Sequence, residues 1–573
     1  MTSAQPLVPL RIPSTETRDS KKVVRDSASN EFVIAVVGHV GSGTSTVCGK
    51  LAELLAKAEF DATILKASDV IAAWAQRSGK PTPARDRKVL GSAQRLQDLG
   101  DEMRRGGDHA AVARELIKKI IETRKQKLGQ AQGAEDLVLP DGAPRAYILD
   151  SVRHPAEVDL LRSLYQTAFA LVGVVCDEEK RKDRLTEKFS DAGRMGAEQF
   201  MERDRKAPEL YGQRVEDAFH LSDYFLDNSE PRWLDEKKRR PNEAWRLPDQ
   251  LSRFIKIVTH AEIVRPTTAE VAMYVASGAK LRSACLSRQV GAALVDRNGN
   301  IVASGTNEAP RAGGGVYGQG FEDKPDGDKS DGRCAYDPDL KFCSNTKEQN
   351  KILEEIIEVF GKFVHELQAR ENQPETSIEA LKLMGGLLGK ERDSLKELLR
   401  KSRISGLIEF SRAIHAEMDA LLSAARQGLS PVGGKMFVTT FPCHACARHL
   451  VSAGLDEVQF IEPYPKSKAL SLHEDAITMD RDGWMEPSKR DGEIDKKRKD
   501  ERETGVLRGP RVLFRPFVGV APRLYARAFL KERDLKDSTT GDLRIAKPDW
   551  GTPWDIRRLS YVQLEAELVR QGG

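Results

Sequence analysis

His415-Ala416-Glu417, with Pro442-Cys443-His444-Ala445-Cys446 beginning 27 residues after His415, constrains this chain more than any other feature. One imidazole (His415) and two thiolates (Cys443 and Cys446) make a three-ligand zinc site, and zinc held by three protein ligands keeps a fourth position for water. The metal lowers the pKa of that water towards 7. Glu417, two residues from His415, can carry its proton to a substrate and on to a leaving group. A closed structural zinc site would need a fourth ligand, and His444 inside the C-x-x-C loop is badly placed to supply it. A redox cysteine pair would not require His-x-Glu upstream. The pattern predicts an amphipathic helix over Leu407–Arg426 and a strand over Lys435–Thr440. A second helix is expected from Cys443, so that two helix N-termini meet over one metal.

The rest of the chain bounds the setting. At 573 residues, two to four domains of about 100–200 residues are expected. Lys+Arg 91 against Asp+Glu 87 leaves a formal charge of +4, too balanced to argue for a nucleic-acid surface. No apolar run approaches 18 residues, so no membrane segment is expected. Residues 1–30 are polar and lack the apolar centre of a signal peptide, and a cytoplasmic setting is expected. Seven cysteines in this length argue against a disulfide framework.

Residues 1–30 are read as a flexible arm, 31–255 as one domain, 256–530 as a second and 531–573 as a tail. In the first domain a β-branched strand, Glu31–Val37, runs into Gly38-His39-Val40-Gly41-Ser42-Gly43-Thr44-Ser45-Thr46 and a helix from Val47 to Ala58. Strand, glycine loop and helix form the setting of a phosphate-binding loop. Further strands are expected at Ala62–Lys66, Arg145–Asp150 and Ala170–Cys176, with helices at Ala84–Arg104 and His109–Lys127. That alternation predicts a parallel sheet. The charged, proline-containing segment Trp233–Asp249 is read as the place where the domain ends and motion is absorbed.

In the second domain, a helix (Thr268–Cys285) precedes a hairpin of Val290–Val295 and Ile301–Thr306, turned by Asp296–Asn300. An insertion over about 311–410 follows, helical in period from Lys347 to Arg403, and a strand-like segment, Arg511–Val518, lies near the end. Cys334 and Cys343 in the insertion are either part of a second, structural zinc site or small core residues.

The His-x-Glu and Pro-Cys-x-x-Cys pair is the signature of zinc nucleobase deaminases. With Ser287–Val295, Ser304–Pro310, Thr439–Cys443 and Ile461–Ser467, the segment 260–480 resembles the deoxycytidylate deaminases. The resemblance implies an α/β/α sandwich of the cytidine-deaminase type, Glu417 as proton shuttle, and substrate contacts from Asn307, Ala416 and Tyr464. Asn307 can equally support a turn, and Tyr464 can pack as core. Arg448 and Lys466 are candidate phosphate partners or solvated surface cations.

The first domain resembles the P-loop nucleotide kinases through Gly38, His39, Val40, Gly41, Ser42, Gly43, Thr44 and Ser45, with Tyr147–Arg153 and Asp217–Asn228. The likeness implies ATP, GTP or another nucleotide with Mg2+ on the loop. Thr44 stands where the lysine is expected, so phosphoryl transfer is in doubt and a regulatory role is expected. The fusion as a whole resembles the bacterial anti-phage dCTP deaminases. That resemblance implies deamination of dCTP and dCMP to deplete dCTP in antiviral defence, a homo-oligomer, and a trigger such as an inhibitory small RNA. Alternatives are a dCMP deaminase or bifunctional kinase–deaminase of pyrimidine salvage, and a polynucleotide cytosine deaminase. The last is disfavoured by 6% aromatic content.

Overall fold

The computed structural model describes residues 29–83, 89–129, 138, 140–189, 191–205, 207, 209–235, 237–260, 262–318, 333–335, 342–369, 383, 386, 391–464, 466–481, 484–489, 510–530 and 536–542. The chain forms two compact units, residues 1–265 with 526–573, and 266–525.

In the first unit, β1 (Glu31–Val37), β2 (Asp61–Lys66), β3 (Arg145–Asp150), β4 (Phe169–Val175) and β5 (Tyr224–Asp227) are parallel and lie in the order β2-β3-β1-β4-β5. Every residue of β1 and β4 is buried, which explains their apolar sequences after Glu31, whose buried carboxylate is paired with Arg124. Val33, Ala35 and Val37 share a core with Leu116, Ile117 and Ile120 of α4 (Ala111–Lys127). The connections first run from β1 to β2 and β3, then cross to β4 and β5. The C-terminal end of β1 is therefore the topological switch point, and the glycine loop sits there ahead of α1 (Thr44–Lys57).

Two expectations need adjustment in this unit. The helix expected from Ala84 is α3 (Leu90–Arg105), whose Leu90 N–H is capped by the Asp191 carboxylate at 3.3 Å; residues 84–88 lie outside the described ones. The segment Trp233–Asp249, read as the place where the domain ends, contains paired strands, Trp233–Asp235 and Arg240–Pro241. Arg232 lies over the rings of both Trp233 (4.7 Å) and Trp245 (5.5 Å).

The second unit is built on a mixed sheet. β6 (Gly291–Val295) and β7 (Ile301–Thr306) form the expected hairpin, and β8 (Lys435–Thr440) is antiparallel to β6. β9 (Glu457–Glu462), β10 (Ile477–Thr478) and β11 (Val512–Pro516) continue in parallel, giving the order β7-β6-β8-β9-β11-β10. α9 (Thr268–Lys280), opened by a Thr267–Glu270 capping box, packs on this sheet through Ala272, Met273, Ala276 and Ala279. It ends at Lys280, short of the expected Cys285, because the chain beyond is drawn into a loop: Ser283 Oγ donates to Asn307 O and Ala284 N to the Glu308 carboxylate.

The insertion contributes α10 (Ser344–Gln368) and α11 (Arg392–Arg400). α12 (Ala416–Arg426) begins nine residues later than the helix expected from Leu407. Ile414 pairs with Glu308 across an antiparallel bridge, and Leu407 O accepts from both Asn345 and Gln349 of α10. Backbone groups that a helix over 407–415 would require are thus committed elsewhere. Gly305 of β7 faces α12 so closely that a Cβ there would run into the Ala416 carbonyl. Among the described residues, no helix is long and apolar enough to cross a membrane.

Candidate metal centre

His415 has extended backbone angles (φ −78°, ψ 152°) and caps α12; Cys443 (φ −67°, ψ 163°) likewise caps α13 (His444–Ser452). The two expected N-termini do meet. His415 Nδ1 lies 3.2 Å from Cys443 Sγ and 3.3 Å from Cys446 Sγ, and the three ligand atoms fall within 4.8 Å of one another. Tetrahedral zinc with Zn–S near 2.3 Å and Zn–N near 2.0 Å needs N···S separations of about 3.5 Å, so the donor set fits the ion in chemistry and spacing. No other group of three or more such ligands occurs among the described residues.

Electrostatics at the centre follow from burial. The Cys446 thiol bonds to Cys443 sulfur, and with His415 beside it this holds the Cys443 thiol far below its ordinary value. The same bond and burial push Cys446 up. The Cys443 contact raises His415 to about 9, giving a thiolate–imidazolium pair whose protons a dication would displace. Glu417 is 4% exposed, and burial lifts its carboxyl to about 7. It also touches Cys446, so its carboxyl reaches the ligand cluster.

A cavity of roughly 440 Å3 opens on this centre, lined by His415, Ala416, Glu417, Cys443, Asn307 and Tyr464 among others. Asn307 is 7% exposed; its Oδ1 accepts from Val290 N and its Nδ2 donates to Arg288 O, each at 2.6 Å. The amide therefore clamps the 288–290 segment while its residue lines the cavity. Tyr464 lies 5.8 Å beneath the Arg288 guanidinium. Lys466 lines the cavity too, whereas Arg448 is exposed on α13 and does not. Cys334 and Cys343 join neither the metal cluster nor the apolar core: they are half-buried in the cavity wall, with Cys343 Sγ 3.3 Å from Ser287 Oγ. Sequence reasoning passed over Arg288 and Arg412, also in that wall. Arg412, three residues before His415, carried a usable signal.

The glycine loop differs in kind. Gly41 (φ 83°) and Gly43 (φ 84°) take left-handed angles, the conformation that favours glycine. Ser45 Oγ donates to Asp150 Oδ2 at 2.7 Å, and Thr44 Oγ1 lies 3.2 Å from Ser151 Oγ. Several of the loop's own groups are engaged: Val40 N donates to Asp204, and Arg153 donates to Gly38 O. Arg184 donates to Gly41 O and Asn228 to Ser42 O. Ser42 Oγ is buried and unpartnered. Burial, then Arg181, Arg153 and Arg205, lower His39 to about 3.

Several known proteins resemble part of this chain. Deoxycytidylate deaminases of Enterobacteria phages T2 and T4 are each 40% identical over 73 residues, 12% of this chain. ComE operon protein 2 of Bacillus subtilis is 37% identical over 54 residues, 9% of this chain and 29% of its own length. The chain spans about two-fifths of the length of the phage relatives, 39% and 38%. The dCMP deaminase of cyanophage S-TIM5, a solved structure, aligns at 19% identity over 36% of this chain and 94% of its own, with a TM-score of 0.19. Residues 266–462, which carry all three ligands and Glu417, match the family described as the cytidine and deoxycytidylate deaminase zinc-binding region.

Proposed function

We propose that this protein catalyses the zinc-dependent hydrolytic deamination of deoxycytidine nucleotides, dCTP and dCMP, to dUTP and dUMP. The observation that carries the reading is one buried carboxyl, Glu417, beside a His/Cys/Cys cluster and open to the same cavity. Zinc bound by His415, Cys443 and Cys446 would supply Lewis acidity that makes water nucleophilic at neutral pH. Glu417 accepts a proton from the attacking water as its oxygen bonds to C4 of the cytosine ring, and delivers that proton to the ring nitrogen. It then carries the second proton to the amino group, and the C4–N bond breaks to release ammonia. A carboxyl near 7 suits both directions of transfer. Tyr464, Ala416 and Asn307 line the same cavity and would border the ring there.

The glycine loop completes the proposal as a nucleotide-responsive regulatory site. Its support is the switch-point position and the Ser45–Asp150 pair, a hydroxyl and a carboxylate of the kind that hold Mg2+. With Thr44 in the lysine position, binding without efficient phosphoryl transfer is the reading. Depletion of dCTP as anti-phage defence, with a homo-oligomeric enzyme and an inhibitory small RNA, extends this on the strength of the domain fusion. The test incubates zinc-assayed protein with dCTP, dCMP, cytidine and single-stranded DNA, and follows ammonia release. Turnover of the two deoxynucleotides supports the proposal; turnover of single-stranded DNA alone refutes it.

A further inference from the structure

α10, the 25-residue helix of the insertion, carries two apolar faces where a surface helix needs one. Leu353, Ile357 and Val364 are buried, and Glu354 beside them pairs with Arg392 and Lys396 of α11, so that side is packed. The second face is open: Ile356, Val359, Phe360 and Phe363 are 38%, 64%, 43% and 50% exposed. Steps of three and four residues set them in one row along the helix, about 10 Å long. Single exposed apolar residues are ordinary, but a contiguous row marks a contact surface. No other helix among the described residues exposes more than two large apolar side chains.

The charges beside the row select its occupant. Glu355 and Lys362, seven positions apart, lie along the same edge of the row, one near each end. Both are exposed, and neither is in an ion pair among the described residues. An antiparallel copy of the same helix, with Ile356 of each against Phe363 of the other, sets Val359 and Phe360 against each other at the centre. That placement brings Glu355 of each copy to within two residues of rise, about 3 Å, of the level of Lys362 of the other. One two-fold axis therefore covers the row and forms both ion pairs, as a self-complementary contact requires. A lipid surface or a partner face of a single sign would cover the row but meet one of the two charges with its own sign.

We infer that the row Ile356, Val359, Phe360 and Phe363 is a two-fold docking surface for α10 of a second copy of this chain. The inference rests on the proposed function only for the homo-oligomer, to which it gives a contact surface, and it is read without any deaminase activity. The first turn of the same helix lines the cavity over the metal centre, and its Asn345 and Gln349 hold Leu407 O at 2.9 and 2.6 Å. A contact between copies on α10 thus lies on an element that walls the site.

The test compares full-length, zinc-loaded wild type with Phe363→Glu, Glu355→Lys, Lys362→Glu and the double variant Glu355→Lys/Lys362→Glu. Mass is followed by light scattering through a dilution series, with ammonia release measured in parallel. Phe363→Glu should raise the dissociation constant for self-association by at least about 100-fold, since an aromatic anchor is lost from both copies at once. Each single charge reversal should raise it by about 10-fold by setting like charges opposite each other, and the double reversal should restore it. Zinc content and melting temperature should match wild type, because the altered side chains are exposed. An unchanged mass in Phe363→Glu overturns the inference and leaves the homo-oligomer to another surface. A double reversal that associates no better than the single ones overturns it as well. A wild type that stays a monomer throughout the series overturns both the inference and the homo-oligomer. A wild type that pairs through this row yet releases no ammonia leaves the inference standing and defeats the deaminase reading instead.

Discussion

Two strand–loop–helix junctions in this chain use the same local device and arrive at opposite states. At the glycine loop, backbone groups are answered by the protein itself: Asp204 takes the Val40 N–H, while Arg153, Arg184 and Asn228 take carbonyls. At the metal centre, His415, Glu417 and Cys443 are held by their helix ends but open to a cavity. A junction filled with internal contacts contributes to stability. One that keeps a buried carboxyl near 7 and two sulfurs beside an imidazole costs stability, as the reactive site proposed for it would.

The sharpest way to break this contrast is at the metal centre. Glu417→Ala should keep zinc and lower deamination by about 10²–10⁴-fold, the usual contribution of a positioned proton shuttle. Its melting temperature should hold or rise, because a desolvated carboxyl is removed. Cys443→Ala should lose both zinc and turnover. Metal analysis beside ammonia release checks both, and an active Glu417→Ala enzyme would reassign the shuttle.

Gly43→Val probes the other junction. The valine would sit at a left-handed φ of 84° and run its Cβ into Asn228 Nδ2, at a cost of about 1–3 kcal/mol. Melting of the first unit should fall and nucleotide control of deamination should be lost, with zinc content constant. Unchanged melting together with unchanged regulation would make the loop an idle connection.

Asn228→Ala tests the same closure more gently. It removes the 2.8 Å bond to Ser42 O, worth about 1 kcal/mol, and should loosen the loop without touching ammonia release measured at saturating substrate. Hydrogen exchange at residues 38–45 reads the effect.

The last expected effect is in pH, and it is small only per pH unit. His39 ordinarily titrates at 6.5 but is held near 3 in the folded unit. Between those values the unfolded chain binds a proton that the folded one does not. Stability is therefore complete above pH 6.5 and falls towards pH 3, by roughly 1 kcal/mol per unit. His39→Gln should flatten that slope in acid melting curves; an identical slope would remove His39 from the account.

Local order in the chain was enough to single out the His415, Cys443 and Cys446 cluster and the glycine loop. His415 and Cys443 are helix N-caps and Cys446 sits in the first turn after Cys443, so finding them required no knowledge of distant contacts. The burial of β1 and β4 was legible for a similar reason, since a strand covered on both faces tends to a near-continuous apolar run. The start of α12 was not, because the bridge between Ile414 and Glu308 and the bonds from α10 to Leu407 join residues 58 to 106 positions apart, and no local period reports them. Cation placement failed on the same ground. Arg448 and Lys466 look alike in sequence and both are exposed, yet Lys466 borders the cavity and Arg448 does not, while Arg288 and Arg412 reach that wall from two separate segments. Spacing along the chain determined which groups could do the chemistry; packing between remote segments, driven by the need to bury apolar faces and pair every buried backbone group, decided what surrounds them.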